Sequence, residues 1–215
     1  MNSDQERTNK IGAGQPTSAF QRMERVPPLL LMLYLGLAGV TVLFLILVVA
    51  YVYTRNQSDA PTGIYPLPRF FSLSTIVLLI SSYTINQARR LYAQDELVGL
   101  GRCLGATLLL SSVFAGLQVL GWRELQNQGV LVLEGVASGT FIYLLSALHV
   151  AHLLGGMLFL LVLLLRTHQA SRDAVRSLVF IRNPYRRLQL RMITLYWHFI
   201  DALWIGLFAV FLFLY

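Results

Sequence analysis

Read from the amino end, the chain alternates long apolar runs with short polar breaks, and the runs predict its architecture. Five of them, over residues 26–54, 68–91, 99–122, 138–166 and 192–215, are long enough to cross a membrane. A helix rises about 1.5 Å per residue, so about 20 apolar residues cover roughly 30 Å of hydrocarbon. The expected fold class is all-α: an integral membrane bundle of five transmembrane helices over 26–215, preceded by a polar tail of mixed charge over 1–25. Pro27 and Pro28 fall where the first turn of a helix tolerates them. The breaks are a Pro- and Gly-bearing loop, "RNQSDAPTGIYPLP", a tight turn around "AQDELV", a polar stretch, "RELQNQGVLVLEGVA", and a basic loop before the last span. No repeat and no second domain is visible.

Composition agrees with the pattern. The 215 residues are 56% hydrophobic and 13% charged, which excludes a disordered chain and is unusual for a soluble domain. Cys103 is the single cysteine, so neither an internal disulfide nor a Cys-based metal motif is expected. The first 25 residues hold no short apolar region ending in a small-residue cleavage site, so no removable signal peptide is expected.

Charge adds an orientation. Of the 17 Lys and Arg, only Arg55, Arg69 and Arg123 fall on one side of the five spans; all others lie in the tail, around the "AQDELV" turn or in the basic loop. The positive-inside rule then places the N-terminus in the cytoplasm and the C-terminus outside. The net charge of +7 therefore speaks of an anionic membrane face, and no nucleic-acid partner is expected. The loop "RTHQASRDAVRSLVFIRNPYRRLQLR" reads as a topology signal, or as a docking surface for a neighbouring subunit or a lipid headgroup.

Candidate chemistry is sparse. Asp201 is the only carboxylate inside an apolar span, although an aspartate at the centre of such a helix costs about 2.5–3.5 kcal/mol on insertion scales. His149 and His152 share one face of the fourth span, and Thr194, His198 and Asp201 share one face of the fifth. His152 lies about 21 Å, and Asp201 about 14 Å, from the cytoplasmic ends of their helices, so the two stripes can meet near mid-membrane. Three arrangements compete for the cluster His149, His152, His198 and Asp201. Bis-histidine haem ligation needs imidazoles on facing helices, such as His149 with His198; a metal site needs three or four ligands. The third is a structural polar cluster, hydrogen-bonded across the helix interface because polar groups in hydrocarbon must find partners in the protein. The third is preferred, since no Cys or Met ligand flanks the histidines and Asp201 already gives His198 a neighbour. No catalytic residue and no metal ligand set is assigned.

Small residues point to packing. Gly101 and Gly105, Gly36 and Gly39, Gly155 and Gly156, Ser81 and Ser82, and Ser111 and Ser112 would let helices approach closely. Trp122, Tyr51, Tyr53 and Tyr215 suit an interfacial aromatic belt.

The segment "YWHFIDALWIGLFAVFLFLY" resembles the last helix of subunit III of the haem-copper respiratory oxidases, with Tyr196, Trp197, His198, Phe199, Asp201 and Trp204 matching its motif. "LSALHVAHLLGGMLFL" resembles that family's preceding helix through His149, His152 and Gly155, and "STIVLLISSYTINQA" its serine-rich helix. "LGATLLLSSVFAGLQVLGWREL" is similar to a further helix through Thr107, Phe114, Gln118 and Glu124. The resemblance runs in order over 27–215. Two departures qualify it. The longer members have seven helices and this chain lacks the first two, as five-helix bacterial forms do. A glutamate common in the helix matching 26–54 is absent, so any role attached to it does not transfer.

The resemblance implies a non-catalytic accessory subunit of a proton-pumping terminal oxidase, cytochrome c oxidase, in the cytoplasmic (inner) membrane of a bacterium. It implies that this chain carries no cofactor, that haems and copper reside in partner subunits I and II, that subunit I is the direct partner, and that phospholipid is bound. It further implies support of proton uptake and protection from inactivation during turnover. Within the family, a quinol oxidase or a nitric-oxide-reductase-associated relative is the alternative. Outside it, a small proton carrier using the polar cluster, or a haem-bearing anchor, remains a rival.

Overall fold

The computed structural model describes residues 27–57, 68–130 and 137–214. The tail over 1–25, residue 26 of the first span and Tyr215 of the aromatic belt lie outside the described residues. Backbone contacts divide the chain between Leu35 and Gly36. Residues 27–35, described by themselves, are Pro27 and the opening turns of helix α1 (Pro28–Gln57), with Pro28 at its first helical position. The remainder concerns residues 36–215, which hold the rest of α1 and the helices α2 (Arg69–Ala93), α3 (Leu97–Asn127), α4 (Ala137–Ser171), α5 (Ala174–Arg182) and α6 (Pro184–Leu214). Among the described residues there is no strand, and five helices are long and apolar enough to span a membrane: all but the nine-residue α5.

Each long helix outruns the apolar stretch that predicts it. The last span, expected from 192, begins at Pro184; the third, expected to end at 122, continues to Asn127; the fourth, expected to end at 166, continues to Ser171. Apolar length measures only the part a helix spends in hydrocarbon, whereas its backbone ladder continues into the interface for as long as Gln, Arg and Glu keep it helical. The basic loop likewise contains α5, capped by Asp173, whose carboxylate accepts from the Val175 backbone N–H at 3.0 Å. The tight turn around "AQDELV" forms as expected: α2 and α3 are joined through Gln94, Asp95 and Glu96, with Asp95 at φ 60°. Gly129 stops α3, taking the left-handed φ of 84° just past its end.

Helices α2, α3, α4 and α6 close a ring in which each packs on two others. α2 lies along α3, α3 along α4, α4 along α6, and α6 returns to α2. The buried stripe of α2 recurs every three or four residues: Phe71, Ser74, Leu78, Ser81, Ile85, Ala88 and Tyr92. On α6 it runs through Ile193, Trp197, Ile200, Trp204, Leu207 and Phe211. Close approach between ring helices is clearest at two glycines, and Gly139 is also tight, against Val130. A Cβ on Gly156 would lie 2.7 Å from Cε1 of Tyr196, and one on Gly121 would lie 2.6 Å from Cε1 of Phe71. At the expected small pairs Gly101 and Gly105, and Gly36 and Gly39, an added Cβ would meet nothing within 4 Å among the described residues, so no described helix comes close at them. Spacing alone marks a small face without saying whether a neighbour occupies it.

α1 leans on the ring through few residues. Leu37, Phe44 and Tyr51 are buried at seven-residue intervals. The Phe44 ring meets His152, and the Tyr51 ring meets Phe141 and Phe211. Tyr51 is thus fully buried rather than part of an interfacial belt, whereas Tyr53 is exposed. Arg55 Nε donates to the Leu214 carbonyl oxygen at 3.0 Å, joining the C-terminal ends of α1 and α6. At the opposite end, the Tyr92 hydroxyl at the close of α2 donates to the Phe180 and Ile181 carbonyls, at 3.1 and 2.9 Å, and so holds the α5–α6 corner.

Candidate functional site

Polar side chains inside the ring are used mainly to tie one helix to the next. α2 is the hub. Trp204 Nε1 on α6 donates to Thr75 Oγ1 at 3.0 Å, and Trp197 Nε1 donates to Ser81 Oγ at 3.0 Å. Ser82 Oγ and His198 Nδ1 share a hydrogen bond of 2.8 Å. Toward α3, Gln118 Nε2 donates to Ser74 Oγ at 2.9 Å, and the Thr84 and Thr107 hydroxyls meet at 2.9 Å. Trp122 Nε1 joins α3 to α4 through Ser146 Oγ at 2.9 Å, and the Tyr196 hydroxyl joins α6 to α4 through the His152 carbonyl oxygen at 2.8 Å. Each contact of this kind is worth about 0.6–2 kcal/mol in a membrane bundle, so together they specify register more than they add stability.

The four residues singled out from the sequence have different fates. His149 is fully buried; its ring lies 5.0 Å from that of Trp204 and edge-on to Phe114 at 5.7 Å, and neither nitrogen has a hydrogen-bond partner among the described residues. His152 turns toward α1, where it meets Phe44. Its Nδ1 lies 2.7 Å from the Leu148 carbonyl oxygen and must carry the proton, because a carbonyl only accepts. His198 is exposed on the outer side of the α2–α6 seam. Asp201 is buried beside the Ser82 hydroxyl, yet among the described residues no hydrogen bond of acceptable geometry reaches either carboxylate oxygen. The bonds expected between Asp201 and the histidines are therefore not the ones formed. Residues three apart on a helix point about 60° away from each other, enough to send His198 outside the seam and Asp201 inside it.

This arrangement has the chemistry of a scaffold. His149, enclosed, and His198, outward, do not face one another as a bis-histidine haem site requires. No group of three or more His, Cys, Asp or Glu able to hold a metal comes together among the described residues. The residues that sequence reasoning missed are the acceptors, above all Thr75, Ser81 and Ser146. A signal for two of them exists: the tryptophans of α6 stand seven residues apart, and the hydroxyls that receive them, Thr75 and Ser81, stand six apart on the antiparallel α2.

A family model for cytochrome c oxidase subunit III matches residues 32–215. The chain belongs to that family. Among curated relatives, cytochrome c oxidase subunit 3 of Bacillus subtilis (strain 168) is 30% identical over 180 residues, covering 82% of this chain and 82% of that protein. The subunit 3 of Bacillus sp. (strain PS3) is 30% identical over 180 residues, covering 82% of this chain and 81% of that protein. That of Squalus acanthias is 31% identical over 151 residues, 69% of this chain and 52% of that protein. This subunit III is accordingly an accessory, non-catalytic component of a haem-copper oxidase, a multi-subunit oxidoreductase, and a multi-pass membrane protein. Its motif residues act as ties within the fold: Tyr196 binds α6 to α4, Trp197, His198 and Trp204 bind it to α2, Phe199 packs on the core, and Asp201 lies buried among them.

Proposed function

We propose that this subunit III stabilises subunit I of a proton-pumping cytochrome c oxidase, with which it is in direct contact, and supports proton uptake into it. The haems and copper belong to subunits I and II, and phospholipid is bound at the apolar surface. The enzyme sits in the cytoplasmic membrane of a bacterium, with the 1–25 tail and the arginines of the α4–α6 connection in the cytoplasm, the single 26–215 domain in the bilayer and the C-terminus outside. The observation that supports this reading is the use of polar groups inside the ring: hydroxyls, indoles and an amide bind helix to helix among the described residues. The names of the Bacillus relatives favour cytochrome c over quinol as the electron donor.

Removal of the subunit tests it. Oxidase assembled without this chain is expected to keep its cofactor spectrum and nearly its initial rate of oxygen reduction, then to lose activity faster during turnover and take up protons more weakly. A first turnover abolished in a complex with intact haems and copper would disprove the non-catalytic scaffold. A reporter fused after position 215 checks the orientation, with activity expected on the external side only.

A further inference from the structure

The outer side of the α2–α6 seam is unlike a surface made for hydrocarbon. Ser82 stands seven residues from Arg89 on α2, and His198 seven from Arg191 on α6, which puts the Ser82–His198 pair about 10 Å below both arginines. That is well within a hydrocarbon layer of roughly 30 Å. Ser82 occupies Nδ1 of the imidazole, so Nε2 is the polar atom left on the exposed edge of the ring. Acyl chains offer nothing to bond it, and an unsatisfied polar group at such depth costs several kcal/mol. The surroundings also have room. Ala202 and Gly206, one and two turns further along α6, are exposed, and a Cβ on Gly206 would meet nothing within 4 Å. One turn from Ser82 on α2, Asn86 is exposed as well. A hydrogen-bonding group flanked by small residues is what a transmembrane helix presents to another helix.

We infer that the α2–α6 seam is a docking surface for a transmembrane helix of oxidase subunit I, which supplies a hydrogen-bonding group to His198 Nε2 and packs closely over Ala202 and Gly206. This rests on the accessory-subunit reading above and adds to it the face that is used.

The test uses the whole oxidase in its native membrane. A benzophenone amino acid placed at Ala202 or Gly206 is expected to crosslink to subunit I at least tenfold more than the same probe at Leu45 or Val49 on α1. In parallel, Gly206→Leu and His198→Leu are expected to lower the amount of this subunit retained with subunit I at least fivefold, while Leu45→Ala leaves retention unchanged. Among the described residues a Cβ at position 206 meets nothing within 4 Å, so Gly206→Leu should accumulate in the membrane like the wild type; if it does not, crosslinking decides alone. Adducts with lipid only, adducts with a second copy of this chain, or stronger crosslinking from α1 would overturn the docking surface and leave complex membership standing. A wild-type chain that brings down no oxidase subunit would overturn the accessory-subunit reading and the docking surface with it.

Discussion

Along α1 the outward residues are Val42, Leu45, Ile46 and Val49; along the α2–α6 seam they are Tyr83, Asn86, His198 and Ala202. Both sets are solvent-accessible in the isolated chain, Ile46 at 61% and Tyr83 at 69%. Their chemistry separates them. α1 is the most apolar of the five spans and α2 the least. α1 holds to the ring by Phe44 and Tyr51, with Val40, Leu47 and Val48 beside them and the Arg55 bond to Leu214 at its end, whereas its outward residues are apolar because lipid accepts any apolar shape. The seam instead carries groups that lipid cannot satisfy. In a membrane subunit, then, equal exposure describes two different environments, and the hydrogen-bonding capacity of the exposed atoms tells which is which.

The sharpest way to break the comparison is on α1 itself. Phe44→Ala and Tyr51→Ala, which empty its seven-residue contact line, should each lower stability by about 3 kcal/mol, whereas Ile46→Ala on the opposite face should stay within about 0.5 kcal/mol. Thermal unfolding of the purified subunit in mild detergent reads both, and equal losses at the two faces would erase the distinction.

A paired glycine experiment comes next. Gly156→Leu drives a side chain into Tyr196 and Trp197 and should cost about 2 kcal/mol in the isolated chain; Gly206→Leu, with open space around it, should be close to neutral there. Reversed Tm shifts for the pair would mean that inside and outside have been misassigned.

Asp201→Leu should raise stability by about 1 kcal/mol, because it removes a buried carboxylate that has no hydrogen bond among the described residues and roughly keeps the volume. A drop in Tm instead would reveal a partner for the acid. The smallest effect expected is for Tyr196→Phe, which keeps the ring and removes only the hydroxyl bonded to the His152 carbonyl oxygen, a loss of about 0.6 kcal/mol. A loss several times larger would show that this contact carries more than register.

Much of the site was legible residue by residue, and its connections were not. His149 and Asp201 stand out in any reading of the sequence as polar groups in apolar spans, and both are indeed buried. Their expected mutual bonding failed because helical spacing gives the angle between side chains on one helix and says nothing of the helix opposite. Ser82, read only as a small residue that eases packing, turns out to hold His198. The "GLG" around Gly99 and Gly101 and the "GG" at Gly155 and Gly156 look equally suited to close contact. Only Gly156 and Gly99 would meet a neighbour closer than 3.4 Å, and at Gly156 that neighbour is the rigid Tyr196 ring of another helix.

The number of spans, their helical state and the uneven placement of charge follow from the sequence alone, because hydrocarbon demands about 20 apolar residues per crossing and a backbone that satisfies itself. Those demands act on each span separately and hold whatever its neighbours are. Which faces meet was decided only by the tertiary structure. An apolar face is equally content against lipid or protein, so hydrophobicity cannot choose between them. Shape and hydrogen-bond pairing choose instead: Tyr196 over Gly156, Trp197 to Ser81, Trp204 to Thr75. These are relations between residues far apart in the chain, and they exist only once the ring has closed.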